Sequence, residues 1–133
     1  MAEATRPRPL CDPASAPFYE AARGGRLLLA YCEHCRRYEQ PGARTCPVCL
    51  GQLGWRQASG RGAVFSFVVF HRALHPAFEV PYAVCMIELE EGPRIVGELI
   101  DAAPDAVEVG LPVAAVFAAD DNDGLPVRFR PRP

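Results

Sequence analysis

From Gly60 onward the chain is a series of short apolar runs separated by Gly, Pro and Asp. "GAVFSFVVFHR" (62–72), "PYAVCMIELE" (81–90), "RIVGELI" (94–100), "LPVAAVFA" (111–118) and "LPVRFR" (125–130) have strand length. Their Val, Phe and Ile content suits a pleated surface. The first run is apolar at both alternating sets of positions, Phe65, Phe67 and Val69 on one and Val64, Val68 and Phe70 on the other. Cover on both faces is expected for such a strand. Glu91-Gly92-Pro93 predicts a tight connection, and Gly97 inside its run predicts a bulge or a close backbone approach. Asp120 to Gly124 predicts the last turn, with hairpin chemistry at Asp123-Gly124. Five strands with a longer excursion after the third predict a five-stranded Greek-key barrel, an OB-fold, over residues 59–133. A small sandwich is the alternative with the same strands.

Residues 1–16 are rich in Pro, Ala and Arg without periodicity, which predicts an extended arm. In "DPASAPFYEAARGG" a short helix is expected, capped by Asp12 or Ser15, with Pro13 or Pro17 in its first turn and Gly24-Gly25 at its end. Residues 1–25 thus form an arm and helix. A helix this short is not stable alone. Its Phe18 and Tyr19 are therefore expected to pack on the body of the chain or on a partner.

"RLLLAY" leads as a strand into "YCEHCRRYEQPGARTCPVCL", and "GQLGWRQ" leaves it. Four of the six cysteines lie here, in two C-x2-C pairs ten residues apart. Each pair aims two sulfurs into one site from a tight turn, so Cys32, Cys35, Cys46 and Cys49 predict a closed tetrahedral centre with no open position. Zinc is the expected ion, and iron uses the same ligands. Segment 26–58 is too small to bury a core unaided, so metal binding would supply much of its folding free energy. His34 lies within the first turn, but four thiolates already fill the shell. A redox C-x-x-C uses one pair beside a strand–helix element, and two pairs argue against it.

With 133 residues, 50% of them apolar, the chain suits one compact domain with a small appendage. No apolar run of signal-peptide length occurs in its first 25 residues, so an unexported, cytoplasmic chain without a membrane segment is expected. In that compartment cysteines hold metal or stay reduced. All 14 basic residues are Arg, which excludes lysine Schiff-base chemistry. Residues 23–72 hold eight Arg against Glu33 and Glu39, a net +6, whereas residues 73–127 hold eleven acids against Arg94, a net −10. This polarity predicts a basic face able to meet phosphates or an acidic protein. Arg36, Arg37 and Arg44 flank the cysteines, where their local role would be to offset thiolate charge.

Catalytic machinery is scarce. Ser15, Ser59 and Ser66 are in no nucleophile-elbow context, and Cys85 lies mid-strand between apolar neighbours. His71 and His75 are spaced for a helical metal face, but the strand before them and Pro76 after them place them on a loop, expected at an interface. "DDNDG" lacks the alternating acids and distal Glu of a calcium loop.

The order of these features resembles the OB-fold, acyl-CoA-associated family with an N-terminal rubredoxin-like zinc ribbon. The pieces that carry the resemblance are "PFYEAARGGRLLLAYCEHC", "TCPVC", "SGRGAVFSFVVFHR", "PYAVCMIELEEGPRIVGELI", "VGLPVAAVF" and "LPVRFRP". They cover nearly everything from Phe18 to Pro131. The resemblance implies a non-catalytic accessory subunit that partners a thiolase-fold enzyme, of the lipid-transfer-type thiolase or aldolase kind, or a hydratase domain. Such subunits hold the complex together or complete a channel for an acyl-CoA or steroid side-chain thioester. The family's metal ligands correspond to Cys32, Cys35, Cys46 and Cys49, and Phe18, Tyr19, Arg61, His71 and Arg72 are the positions expected to face partner or CoA. Arg36 and Leu50 stand where the family often has glycine after each knuckle, which implies strained turns, and Phe18-Tyr19 replaces the usual Phe-Trp. The competing function is single-stranded nucleic-acid binding, common to zinc ribbons and OB-folds. A pI of about 5.9 and the acidic barrel segment disfavour it.

Overall fold

The computed structural model describes residues 6–10, 12–117 and 127–133. Cys11 and the turn expected at Asp120–Gly124 lie outside the described residues. Helix α1 spans Ala16–Arg23, with Ser15 at the N-cap and Pro17 in its first turn. Asp12 organises the approach: its Oδ1 accepts from the Ser15 backbone N–H at 2.8 Å and from the Ser15 hydroxyl at 2.7 Å. That hydroxyl contact lowers the Asp12 carboxyl pKa below its ordinary value. The helix ends as its glycines predict. Gly25 takes φ +79°, and the Arg26 and Gly25 N–H groups bond back to the Ala21 and Ala22 carbonyls.

Three strands form the first sheet, β1 (Leu27–Cys32), β2 (Arg37–Glu39) and β3 (Gly54–Ala58), antiparallel in the order β2-β1-β3. The second sheet closes on itself. Strands β4 (Arg61–Phe70), β5 (Tyr82–Leu89), β6 (Arg94–Leu99), β7 (Pro112–Phe117) and β8 (Val127–Pro131) run β4-β5-β6-β8-β7 around a barrel. The seam between β6 and β8 is parallel and the one between β4 and β7 antiparallel, so the chain forms an OB-fold. A single 3-10 turn, Pro104–Ala106, occupies the excursion between β6 and β7.

Two glycines make the closure possible. A Cβ at Gly62 would run into the Glu88 carbonyl oxygen of β5, and one at Gly97 would lie 2.7 Å from the Phe129 ring. Gly97 thus marks the close approach expected of it, with the buried ring of β8 laid against β6. Phe129, Ile87, Val64, Val113 and Leu89 fill the barrel, and Leu27, Leu29 and Ala58 of the first sheet join the same buried cluster. One core therefore serves both sheets.

Strand β4 departs from the expectation of two covered faces. Its pairing with β5 slips between Val64 and Ser66, a bulge that puts an extra residue opposite its partner. Beyond the bulge Phe67 and Val69 share the side of Cys85 and Ala83, while Ser66, Val68 and Phe70 share the side of Met86, Val84 and Tyr82. Simple alternation had grouped Phe65 with Phe67 and Val69. Instead Phe65 and Val68 are left exposed on the outside of the barrel.

Candidate metal centre and the surfaces around it

Strand β1 ends at Cys32, and the knuckle that follows returns the chain as β2, which brings Cys35 back beneath the strand end. The second knuckle is closed by the Cys46 N–H bonding to the Gly51 carbonyl and the Leu50 N–H to the Cys46 carbonyl, both at 2.9 Å. A bridge between Thr45 and Gln52 holds its base. The two knuckles converge: the ligand atoms of Cys32, Cys35, Cys46 and Cys49 all lie within 4.8 Å of one another. Cys32 Sγ is 3.6 Å from Cys49 Sγ and Cys46 Sγ is 3.9 Å from Cys35 Sγ. A tetrahedral thiolate centre with metal–sulfur arms of ~2.3 Å has edges of about 3.8 Å, so these separations fit a four-coordinate metal.

Backbone amides surround the sulfurs. The Cys35 N–H donates to Cys32 Sγ at 3.3 Å and the Gly51 N–H to Cys49 Sγ at 3.4 Å. The Cys49 amide, followed by that of Val48, lowers the Cys46 thiol pKa to about 7. Desolvation, followed by the neighbouring sulfurs, raises that of Cys35 to about 12. A bound cation reverses that preference, since a coordinating thiol is deprotonated outright. The donors to sulfur are thus main-chain groups. Arg37, expected to offset thiolate charge, instead pairs with Glu39 at 2.6 Å. His34 is exposed and outside the cluster.

Both knuckles are strained as their sequence implies. Arg36 has φ +52° and Leu50 φ +62°, in the left-handed region that favours glycine.

The remaining expected site residues do not converge. Phe18 and Tyr19 meet edge to face at 5.2 Å and line a groove of about 450 Å³ with Met86, Ile95 and Val96. Arg61 opens β4, where its Nε is 3.4 Å from Glu90 Oε2. His71 and Arg72 follow the other end of the same ten-residue strand, ~30 Å away at strand rise. His71 borders a separate cavity with Val69, Pro81, Pro104 and Asp105. His75 is occupied locally, its Nδ1 accepting the Ala77 N–H at 3.1 Å.

Sequence reading missed one feature entirely. Arg6 of the arm forms a two-point ion pair with Glu98 of β6, one contact at 3.2 Å, and its guanidinium lies 4.8 Å from the centre of the Phe78 ring. Glu98 is only 7% exposed, the one buried charged residue among those described. Phe78 in turn stacks on Tyr82, which stacks on Phe70. A lone Glu in an apolar strand was the available signal.

Among the described residues no helix is long and apolar enough to cross a membrane. The model of the "ChsH2, C-terminal OB-fold domain" matches residues 55–118. A Thermomonospora curvata protein named "Probable enoyl-CoA hydratase alpha subunit" is 42% identical over 97% of this chain, which spans 41% of that protein's length. A "DUF35 domain-containing scaffold protein" of Methanocaldococcus jannaschii is 37% identical over 74% of this chain and 72% of its own. Among solved structures, the "Ltp2-ChsH2(DUF35) aldolase" contains a chain that superposes with a TM-score of 0.83 at 39% identity, covering 93% of this chain and 98% of that one. A DUF35 protein of Sulfolobus solfataricus, 14% identical with a TM-score of 0.66, shares the fold. With its cysteine cluster, its closed five-stranded barrel, and its likeness to the Methanocaldococcus jannaschii protein and the aldolase chain over most of their lengths, the chain belongs to the DUF35 family, of the type whose OB-fold is that of ChsH2.

Proposed function

We propose that this chain is a non-catalytic scaffold subunit for a thiolase-fold enzyme of the lipid-transfer type, acting in acyl-CoA processing that includes steroid side-chain thioesters. Cys32, Cys35, Cys46 and Cys49 would hold zinc as a structural ion, tying the ribbon to the barrel with no coordination position left for substrate. The observation that carries the reading is the likeness, along almost its whole length, to one component of a two-component aldolase. Relatives named as hydratase alpha subunits support a hydratase domain as another enzyme of the same kind of assembly.

The side-chain chemistry agrees with a supporting role. Ser59 Oγ is occupied by Glu90 and Glu91, Ser15 Oγ by Asp12, and Cys85 is buried with its thiol pKa raised by desolvation. Phe18 and Tyr19 are the partner-facing pair in this reading, and Arg61, His71 and Arg72 lie at the two ends of β4 where a CoA phosphate would have to be met.

The full chain co-expressed with an Ltp2-type aldolase subunit is expected to co-elute with it on a sizing column and to carry one zinc per chain. Elution of the two proteins apart, or thioester turnover by the isolated chain, overturns the reading.

A further inference from the structure

The outside of the barrel is polar along β8, which carries Arg128 and Arg130, but apolar residues predominate across β4, β5 and β6. There the cross-strand register brings Ser66 against Met86 and Met86 against Val96, with Phe65 extruded by the bulge beside them and Val68 paired to Val84 one step along. Phe65, Val68, Met86 and Val96 are 43%, 55%, 36% and 65% exposed. Single exposed apolar residues are ordinary, but a contiguous set on three adjacent strands marks an interaction surface. Alternation would place polar residues on the outer side of an antiparallel barrel, and the sequence does not.

The charges that border this surface are matched within the chain. Arg94 Nε is 3.0 Å from Glu88 Oε2, with the Arg94 guanidinium 3.6 Å from the centre of the Phe65 ring, and Arg6 is paired to Glu98. A phosphate-bearing ligand would have to break one of those pairs to find a cation here. An apolar, uncharged protein surface would not. At its edge the face runs into the groove between α1 and β6, since Met86 and Val96 belong to both, and Phe18 and Tyr19 form the far wall. An apolar field ending in a cleft of about 450 Å³, lined mainly by apolar side chains with Arg94 at its margin, has the form that receives one protruding aromatic or aliphatic side chain at the centre of an interface.

We infer that this outer face of β4–β6, continuous with the α1 groove, is where the partner enzyme subunit docks through an uncharged apolar surface. The inference rests on the scaffold role proposed above and specifies its interface. The occupant is a separate enzyme chain because the same-length relative is one component of a two-component aldolase. It differs from the basic face over residues 23–72 that charge counting along the sequence offers for phosphates or an acidic protein.

The test uses the full chain and an Ltp2-type aldolase subunit. Val96→Glu and Val68→Glu place a charge on exposed positions, so the bound metal and the thermal midpoint are expected to stay as in the wild type while affinity falls at least about thirtyfold. Val109→Glu, equally exposed but on the loop before β7, is expected to bind normally. Raising salt from 50 to 500 mM should change the wild-type dissociation constant by less than about threefold, because no charge pair forms across the interface. Met86 is one of only two methionines, and its oxidation by peroxide should slow in the complex. Wild-type affinity in Val96→Glu and Val68→Glu, with Met86 oxidised equally fast free and bound, overturns the assigned face while leaving the scaffold role intact. A wild-type chain that binds no such subunit overturns both. Self-association of the chain alone that Val96→Glu abolishes would assign the face to a second copy and overturn the inference.

Discussion

At the scale of the residue, the two knuckles hold a cost that sequence and backbone agree on. Leu50 sits at φ +62° with its side chain 76% exposed, so it contributes little packing to offset the strain. A left-handed non-glycine residue costs roughly 1–2 kcal/mol, and glycine gives back about half of that through its greater freedom in the unfolded chain. Leu50→Gly is therefore expected to stabilise the metal-loaded protein by about 0.5–1 kcal/mol in denaturant titration. A loss of stability would mean that the Leu50 side chain makes contacts its exposure does not suggest. Both knuckle positions were legible beforehand, because a missing glycine at a fixed place in a cysteine turn has only one backbone consequence.

At the scale of the element, a metal bound by the four cysteines of the ribbon would have to displace protons from them. The four sulfurs would bind a metal as thiolates, and the Cys35 thiol, with its pKa raised to about 12, would give up its proton to that metal. Protons and metal compete, so metal-dependent stability is present at high pH and lost as pH falls. Apparent zinc affinity, read by competition with a chromophoric chelator between pH 8 and 6, should weaken about tenfold or more per unit. A pH-independent affinity would count against thiolate ligation. Removing the metal should also do more than loosen a local loop. Leu27, Leu29 and Ala58 share a core with Phe129 and Ile87, so chelation is expected to lower a single cooperative melting transition seen both in far-UV circular dichroism and in the emission of Trp55, the only tryptophan. A barrel transition unmoved after complete metal removal would show the two sheets to be energetically separate.

At the scale of the whole molecule, the arm and the acidic segment prove to be parts of one arrangement. Along the sequence residues 73–127 are strongly acidic, but in space Glu88 meets Arg94, Glu90 meets Arg61 and Arg132, and Glu98 meets Arg6. Among the described residues, three of the eleven acids in this segment thus meet arginines, and for Glu90 and Glu98 those arginines come from outside it, at Arg6, Arg61 and Arg132. Arg6→Ala would leave Glu98 without its partner and Phe78 without its cation, a loss of about 1.5–3 kcal/mol for a charged hydrogen-bonded pair. The same change should raise amide hydrogen exchange in the loop of residues 71–81, which Phe78 anchors through Tyr82 and Phe70. Unchanged exchange there would mean the arm does not secure the loop.

The sequence by itself determined the short-range parts of this protein. Two C-x2-C turns predict a four-sulfur cluster, Gly24-Gly25 a helix end, Gly97 a bulge or a close approach, and the spacing of the apolar runs a five-stranded barrel or a small sandwich, of which the structure shows the close approach and the barrel. Each depends on a few neighbouring residues whose geometry is nearly fixed. Only the tertiary structure decided which apolar residues face outward, because a one-residue bulge after Val64 reverses the alternation of everything beyond it and carries no signature of its own. It alone decided, too, that Arg6 would reach Glu98 across 92 positions of chain, that Arg37 would turn to Glu39 and not to the sulfurs, and that Arg61 would be engaged by Glu90. Ion pairs and exposed faces depend on which strands become neighbours. That is settled by closure of the barrel and not by any local run of residues.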